Sequence, residues 1–472
     1  MTSSQPASRR VVITGWGVIS PLGNTPDALW EALQARRSGV ALMTSLPLTA
    51  LPTSIAAEAR EFTGHIDDFG PLEGDQKKSV RKGLKVMCRE AQMGVAAAQC
   101  ALADAGFALG KHDPERCGVV YGADYMISAP EELNSSVAAC LTNGHGFEFA
   151  RWASEGMGKM NPLWLLKYLP NMPASHIAIY NDLRGPNNSI THREAAANLA
   201  VGEAFRVIAR GHAELMIAGA TGTRVHPMKA VHAVFEEELA INGREPQCLS
   251  RPFDLARGGM VLGEGAGAIV LEELASARAR GATIRGEVVG FGSSSVADRD
   301  LAPRRDAALA NAMRAALRDA GATPGDVGHL HAHGLATRRS DAEEARAIRE
   351  VFGARADSLP VTAAKSYFGN LGAGGGLVEL VASTLALQHG SLFPILNYET
   401  PDPECPIVAV TKADVPSGDS FLNLSVTPQG QASCVMVRRH SAAFGAAEAV
   451  RQAAAADNDT FCHEKAVAGG RA

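Results

Sequence analysis

The chain of 472 residues is 46% hydrophobic, 20% charged and only 5% aromatic, which predicts a globular protein with substantial buried cores. Its 48 glycines and 24 prolines are too few for collagen or low-complexity disorder. Forty-five basic residues against 50 acidic ones give a formal net charge of −5, which argues against nucleic acid as a partner and favours a small or carrier-bound substrate.

The amino-terminal segment 1–10 is polar, and the apolar run after it is broken by Gly15 and Gly17, unlike the core of a signal peptide. No uninterrupted apolar stretch approaches the ~20 residues of a membrane span. The eight cysteines form no C-x-x-C pair and signal neither a zinc site nor a disulfide framework. We therefore expect a cytoplasmic protein with no membrane span, no metal and reduced, mostly buried thiols.

A repeated succession of elements runs through the chain. Val11–Val18 predicts a buried strand that ends in a glycine turn, and Ala101–Phe107 predicts a helix end before a strand at Cys117–Gly122. The same succession returns at Gly286–Gly292, Ala315–Ala322 and His329–His333. The sequence therefore predicts one α/β unit present twice, with extra residues inserted in the first copy.

Between the two copies the alternation of helix and strand continues. Arg193–Gly211 predicts a helix and Glu214–Gly219 a buried strand directly after it, the succession typical of parallel α/β sheets. The stretch 123–180 lacks this rhythm and is expected to form a cap or an interface. The expected units are 9–274, 283–439 and a mobile tail over 440–472.

Two glycine-rich segments can be compared with phosphate-binding loops. Gly369–Gly376 lacks the Lys-Ser/Thr ending of a Walker loop and predicts a crowded helix start before an apolar helix over Leu377–Gln388. Gly263–Gly267 departs from G-x-G-x-x-G spacing and leads into a predicted strand, Ala268–Glu272. We expect no nucleotide or flavin cofactor.

Three polar residues have side chains that can act in catalysis. His331 and His333 stand at the end of a predicted strand, where a histidine can donate to a developing oxyanion. Asn370 presents an amide near a helix N-terminus. Considered singly, each is better explained as structural, and the two histidines have no third ligand at a metal-binding spacing.

Taken together, these segments resemble a β-ketoacyl-acyl carrier protein synthase of the elongating type II kind, a thiolase-fold condensing enzyme. The motifs that carry the resemblance are Val11–Gly23, Ser250–Asp254, Gly263–Glu273, His333-Gly334 and Lys365-Ser366. The resemblance covers the chain from about residue 10 to residue 439. It implies an α/β thiolase fold, two duplicated halves in five layers αβαβα, assembled as a dimer.

The resemblance places an acid where the family has its nucleophile. In these enzymes a cysteine stands at the N-terminus of a buried helix shortly after a Gly-Pro turn, and the helix dipole favours the thiolate. Counted from Gly185-Pro186, the matching position is Glu194, and no cysteine lies between Cys140 and Cys248. Acyl transfer through Glu194 would give a mixed anhydride, more reactive than the thioester, so this route is not expected.

The remaining family residues are partly retained. His333 matches the first catalytic histidine, and Lys365 with Glu379 matches a buried lysine–glutamate pair. Asn370 stands in place of the second histidine, a change that initiating synthases with a Cys-His-Asn set tolerate.

The C-terminal loop also departs from the family, which has a gating Gly-Phe-Gly-Gly segment there. This chain has Asn423–Ala432 instead, with Thr427 next to a turn stiffened by Pro428. Together the three departures favour a site that has lost condensation. The favoured hypothesis is a non-condensing partner of an active ketosynthase, similar to chain-length factors.

Two enzymatic alternatives stay open. The first is a malonyl-thioester decarboxylase in which His333 and Asn370 hold the enolate, which requires a protonated Glu194 because an ionised one would repel the malonyl carboxylate. The second is an acyl-thioester hydrolase or transferase in which Glu194 acts as the base.

The resemblance also implies the partners. The ligand would be the phosphopantetheine arm of acyl carrier protein, which would enter towards His333, Asn370 and Thr427. Carrier proteins are acidic, so a basic docking cluster is expected, although a solvated helix face is the better explanation of the candidates. These are Lys78, Arg81, Lys82 and Lys85. The apolar segment Met160–Met172 would contribute to a homodimer, or to a heterodimer with a cysteine-containing ketosynthase, unless it is ordinary core.

Overall fold

The computed structural model describes residues 9–47, 51–142 and 146–440. Within these residues the chain forms fifteen strands. They are β1 Val11–Ile19, β2 Ala41–Leu42, β3 Ile55–Ala57, β4 Cys117–Ala123, β5 Leu141–Thr142, β6 Gly146–Phe147, β7 Asn187–Thr191, β8 Leu215–Thr223, β9 Leu262–Glu273, β10 Gly286–Ser295, β11 His329–His331, β12 Pro360–Thr362, β13 Val408–Ala409, β14 Ser420–Val426 and β15 Gln431–Arg438. The α-helices are α1 Pro26–Gln34, α2 Gly74–Gly83, α3 Arg89–Asp104, α4 Asn134–Ala139, α5 Met172–Asn181, α6 Ala196–Ala209, α7 Pro227–Glu236, α8 Leu274–Ala279, α9 Arg305–Asp319, α10 Arg338–Phe352, α11 Lys365–Phe368 and α12 Gly375–His389. The predicted tail beyond His440, with Cys462, lies outside the described residues.

Two sets of five strands have the same order and the same relative directions. The first set runs β1–β9–β8–β4–β7 and the second runs β10–β15–β14–β11–β12. In each set the first two pairs are antiparallel and the last two are parallel. This agreement confirms the duplicated α/β chain, whereas the boundaries at 274 and 283 stay predictions.

The glycines of the repeated motif let a helix lie directly on each sheet. A Cβ atom added to Gly17 in β1 would collide with the carbonyl oxygen of Ala97 in α3. One added to Gly292 in β10 would collide with the carbonyl oxygen of Ala312 in α9. The same close approach of helix backbone to strand therefore recurs in both halves, and it explains why the sequence pattern repeats.

The helices form three layers around the two sheets. α3 and α5 pack on the outer face of the first sheet, α9 packs on the outer face of the second, and α10 packs against α9. α6 and α12 lie between the sheets, and α12 is buried on all sides from Gly375 to Leu387, as expected of a central helix. The αβαβα layering is thus confirmed. The start of β1 also pairs with the start of β10, so the two sheets meet at one edge.

Most predicted elements appear close to their expected bounds. The helix expected from residue 193 begins as a 3₁₀ turn, Arg193–Ala195, and continues as α6. The strand expected over His329–His333 is too long, because β11 ends at His331. Beyond it the Glu344 carboxylate accepts the backbone N–H groups of His333 and Gly334, which draws them out of the strand ladder.

The region 123–180 contains short helices and the antiparallel pair β5–β6, and its role as a cap or an interface stays a prediction. Its apolar segment is not ordinary core: Leu163 is 52% exposed and Leu165 is 53% exposed. Phe149 and Ile179 in the same region are also exposed. In the described ranges no helix is both long and apolar enough to cross a membrane.

Candidate active site

The five site residues expected from the resemblance lie together where the two halves meet. Glu194 precedes α6, His333 follows β11, Lys365 opens α11, and Asn370 and Glu379 lie before and within α12. All five side chains are buried. Each chain segment arrives at the carboxyl end of a strand or at the start of a central helix, which is where α/β folds bring polar groups together.

Glu194 is held as an ionised carboxylate. Its Oε1 accepts hydrogen bonds from Arg224 Nη2 at 2.5 Å and from Asn370 Nδ2 at 3.1 Å, and Arg193 Nε lies 3.7 Å from Oε2. Burial alone would raise the pKa of Glu194, but the two guanidinium groups and the Asn370 amide outweigh it and hold that pKa well below its usual range. The position before α6 also favours negative charge.

Arg224 connects Glu194 to a second buried acid. Its Nη1 lies 2.8 Å from Oδ2 of Asp124, and both side chains are fully buried. Arg193 pairs with Glu236 at 2.6 Å at the outer end of the same group. Three acids and two arginines thus form a continuous chain of charges beside α6.

Sequence reasoning missed Arg224 and Asp124. A local signal was present, because each follows directly after a strand whose residues are all buried, β8 and β4 respectively. A charged residue placed there sits at the same sheet edge as the other polar groups. Sequence spacing alone, however, does not show that Asp124 and Arg224, a hundred positions apart, lie beside Glu194.

His333 is neutral and has a fixed tautomer. Its Nδ1 lies 3.3 Å from Lys365 Nζ, and that ammonium pairs with Glu379 Oε1 at 2.5 Å. Burial, reinforced by the charge of Lys365, keeps the pKa of His333 well below its usual value. Because an ammonium group can only donate, Nδ1 accepts and the ring proton is on Nε2. His333 can therefore donate a hydrogen bond to an acceptor on its other side.

The side-chain amide of Asn370 is engaged in contacts with neighbouring residues. Its Oδ1 accepts the backbone N–H of Gly372 at 3.0 Å, which orients the amide group. The Nδ2 group then donates to Glu194 and contacts Met260 Sδ at 3.3 Å. The amide is thus committed to the carboxylate.

Thr427 and Pro428 lie in the turn between β14 and β15. Thr427 closes the turn through its backbone and Oγ1 contacts with Gln431, and the Pro428 carbonyl accepts from Arg305 Nε at 3.3 Å. Across the described ranges, neither residue hydrogen-bonds to Glu194, His333 or Asn370. Their predicted role beside a ligand stays a prediction.

The other sequence candidates lie elsewhere or have structural partners. His331 Nδ1 pairs with Ser383 Oγ at 2.7 Å, and its Nε2 accepts the N–H of Ala364. Among the described residues no group of three or more His, Cys, Asp or Glu side chains could hold a metal ion. The basic residues of α2 and the following turn, Lys78, Arg81, Lys82 and Lys85, are all exposed, and their docking role stays a prediction.

Comparison with known proteins gives consistent matches along the chain. Residues 8–277 match the model "Beta-ketoacyl synthase, N-terminal domain", and residues 285–399 match "Beta-ketoacyl synthase, C-terminal domain". The 3-oxoacyl-[acyl-carrier-protein] synthase 2 of Coxiella burnetii is 36% identical over 84% of this chain and 90% of that protein.

Two solved structures share the fold along the whole of their chains. The ishigamide ketosynthase/chain length factor superposes with a TM-score of 0.76 at 29% identity, covering 92% of this chain and 100% of that one. A type II PKS acyl carrier protein in complex with its ketosynthase bound to the hexaketide gives a TM-score of 0.78 at 25% identity, with the same coverage.

Proposed function

The chain belongs to the β-ketoacyl synthase family of fatty acid and polyketide synthesis, and we propose that within this family it is a non-condensing subunit that pairs with an active, cysteine-containing ketosynthase. In this role it shapes or completes the partner's site and forms no carbon–carbon bond by itself. Soluble acyl carrier protein would deliver substrate to the partner.

The observation that carries the proposal is the buried Glu194–Arg224 ion pair. Condensation in this family needs a thiolate that accepts the acyl chain, and the residue at the corresponding helix start is a carboxylate already paired with a guanidinium. In the described part of the chain no cysteine hydrogen-bonds to Glu194 or His333.

The same geometry disfavours the decarboxylase alternative. That reaction needs an uncharged residue at position 194 and a free amide at position 370. Glu194 is ionised, so it would repel the carboxylate of a malonyl group, and Asn370 donates to Glu194 instead of to a substrate oxygen.

The hydrolase or transferase alternative is disfavoured for a related reason. A general base works best when its pKa lies near the working pH. Arg224 and Arg193 hold the pKa of Glu194 far below that range, so its carboxylate is a weak base.

The exposed apolar side chains of the 123–180 region support a partner chain. Exposed apolar patches of this kind mark interaction surfaces, because the free energy falls when a second protein covers them and removes them from water. The structural similarity to a ketosynthase/chain length factor favours an active ketosynthase as that second protein.

The decisive experiment compares the purified chain with and without a candidate ketosynthase. Alone, with acyl- and malonyl-loaded carrier protein, it should give no β-ketoacyl product and no acetyl carrier protein. With the ketosynthase it should form a stable complex on size-exclusion chromatography and support product formation. A variant of that ketosynthase with its nucleophilic cysteine replaced by alanine is the control. It should form no product, and the complex should not dissociate. Condensation by the chain alone would overturn the proposal.

A further inference from the structure

The residues around Glu194 have the shape and the donors of a carboxylate-binding site. Arg224 Nη2 and Asn370 Nδ2 both donate to Glu194 Oε1, at 2.5 Å and 3.1 Å. Arg224 is 1% exposed and Asn370 is 2% exposed, so both donors are kept away from water. A guanidinium and an amide that converge on one oxygen in a dry interior bind a carboxylate more strongly than they would at the surface.

The two donors are positioned by contacts that do not involve Glu194. Asp124 Oδ2 lies 2.8 Å from Arg224 Nη1, so Asp124 holds the guanidinium from its other side. The backbone N–H of Gly372 donates to Asn370 Oδ1 at 3.0 Å, which directs the Nδ2 group towards position 194. We therefore expect the site to keep its donors in place when the Glu194 side chain is absent.

Glu194 fills this site incompletely, because its carboxylate is tied to the backbone by its own side chain. Within the described residues, Glu194 Oε2 and Arg193 Nε are both buried without a hydrogen-bond partner, and they lie 3.7 Å apart. Arg193 is held at this distance, since its Nη1 and Nη2 groups donate to Glu236 at 2.7 Å and 2.6 Å. A free carboxylate has no such tether and can accept from both arginines.

The surroundings favour a negative charge at this point even though two further acids lie nearby. Asp124 and Glu236 each pair with one of the two arginines. Burial alone would raise the pKa of Glu194, but the two guanidinium groups still hold that pKa well below its usual range. The folded site thus prefers an ionised carboxylate to a neutral group of the same size.

We propose that the two arginines and the Asn370 amide form a carboxylate-binding site, and that Glu194 is its built-in occupant. The ligand class that the site takes is a small carboxylate, such as the acidic end of a malonyl group. While Glu194 holds the place, no such group can bind there. This inference deepens the subunit role proposed above and rests on it for one consequence, that malonyl groups remain available to the active partner.

The test removes the occupant and offers a free one. Glu194→Ala is refolded with sodium acetate or with acetamide, its neutral analogue, and sodium chloride keeps the ionic strength equal. Acetate should raise the midpoint of urea unfolding, with an apparent Kd at least about tenfold lower than that of acetamide. The wild-type chain should not respond to acetate, because Glu194 already fills the site.

Three further variants separate binding at the site from general effects of salt. Glu194→Gln keeps the shape of the side chain and leaves no space for acetate, so it should not respond. Glu350→Ala should not respond either, because it frees only Arg314, whose pair with Glu350 is at the surface. The double variant Glu194→Ala with Arg224→Met removes the main donor, so its apparent Kd for acetate should rise at least about tenfold.

A response to acetate that depends on Arg224 and exceeds the response to acetamide supports the site. If Glu194→Ala does not fold with or without acetate, Glu194→Ser repeats the measurement, because its hydroxyl keeps an acceptor for Asn370. No response to acetate in the folded variant, an equal effect of chloride, or failure of both variants to fold with acetate would overturn the proposal. None of these measurements involves condensation or the partner, so the carboxylate site and the subunit role can fail separately.

Discussion

The Glu194 carboxylate accepts a hydrogen bond from Arg224 Nη2 at 2.5 Å, and both side chains are buried. A buried ion pair adds little net stability compared with apolar side chains of the same shape, because both charges must be desolvated. Removing one partner is costly, since the other charge is left in a medium that cannot solvate it. The pair therefore fixes both residues in place and makes each dependent on the other.

The first prediction concerns Arg224. An Arg224→Met substitution leaves Glu194 and Asp124 buried without their shared counter-charge, so the free energy of unfolding should fall by about 3–5 kcal/mol. Urea unfolding followed by circular dichroism measures this loss. An Arg314→Met substitution on the surface should leave the midpoint unchanged. Equal losses in the two variants would show that the buried charges are solvated after all.

The second prediction concerns the pair Lys365–Glu379. Lys365→Met alone leaves a buried carboxylate unpaired and should lower the free energy of unfolding by about 3–5 kcal/mol. The double substitution Lys365→Met with Glu379→Leu removes both charges and should recover most of that loss. A double-mutant cycle measures the coupling, and additive losses would contradict it.

Whether a feature of the fold or the site could be predicted depends on how far apart in the sequence its determining residues lie. The repeat was visible because Gly17 and Gly292 must admit a helix backbone, so the same local pattern recurs in both halves. The position of Glu194 before α6 followed from the family resemblance, by counting from the nearby turn Gly185-Pro186. Both are properties of neighbouring residues.

The surroundings of Glu194 could not be predicted, because they depend on residues distant in sequence. Arg224 and Asp124 meet Glu194 only after β4, β8 and α6 have packed together. The end of β11 was misjudged for the same reason, since Glu344, in a later helix, takes up the N–H groups of His333 and Gly334. Only three-dimensional structure shows which distant group satisfies a buried charge or donor.

The third prediction is a pH dependence of stability that comes from Glu344. Burial raises the pKa of Glu344 from 4.5 to about 7, although the N–H groups of Gly334 and His333 partly oppose the rise. The native chain therefore binds this proton more tightly than the unfolded chain. Its contribution to stability is fully present below about pH 4.5 and is lost as the pH rises through about 7. Asp341, with a pKa raised mainly by burial to about 6, adds to the same slope.

Urea unfolding at a series of pH values from about 5 to 8 measures this effect. Relative to Glu344→Gln, whose side chain does not titrate, the wild-type midpoint should decrease across the series. The exposed Glu350→Gln serves as the control and should retain the wild-type slope. Identical slopes in all three proteins would assign the dependence to other groups.

The fourth prediction concerns the exposed apolar segment and the proposed partner. Leu163→Asp and Leu165→Asp each place a charge on a surface that the partner would remove from water, so each should weaken the complex by at least about tenfold in Kd. Both side chains are more than half exposed in the chain alone, so the thermal stability of the isolated protein should not change. Leu109→Asp is the matched control, because Leu109 is similarly exposed, at 48%, but lies outside the 123–180 region. Titration calorimetry with the ketosynthase measures the three affinities. If Leu163→Asp and Leu165→Asp bind as tightly as Leu109→Asp, the apolar segment is not the contact surface and the partner binds elsewhere on the chain.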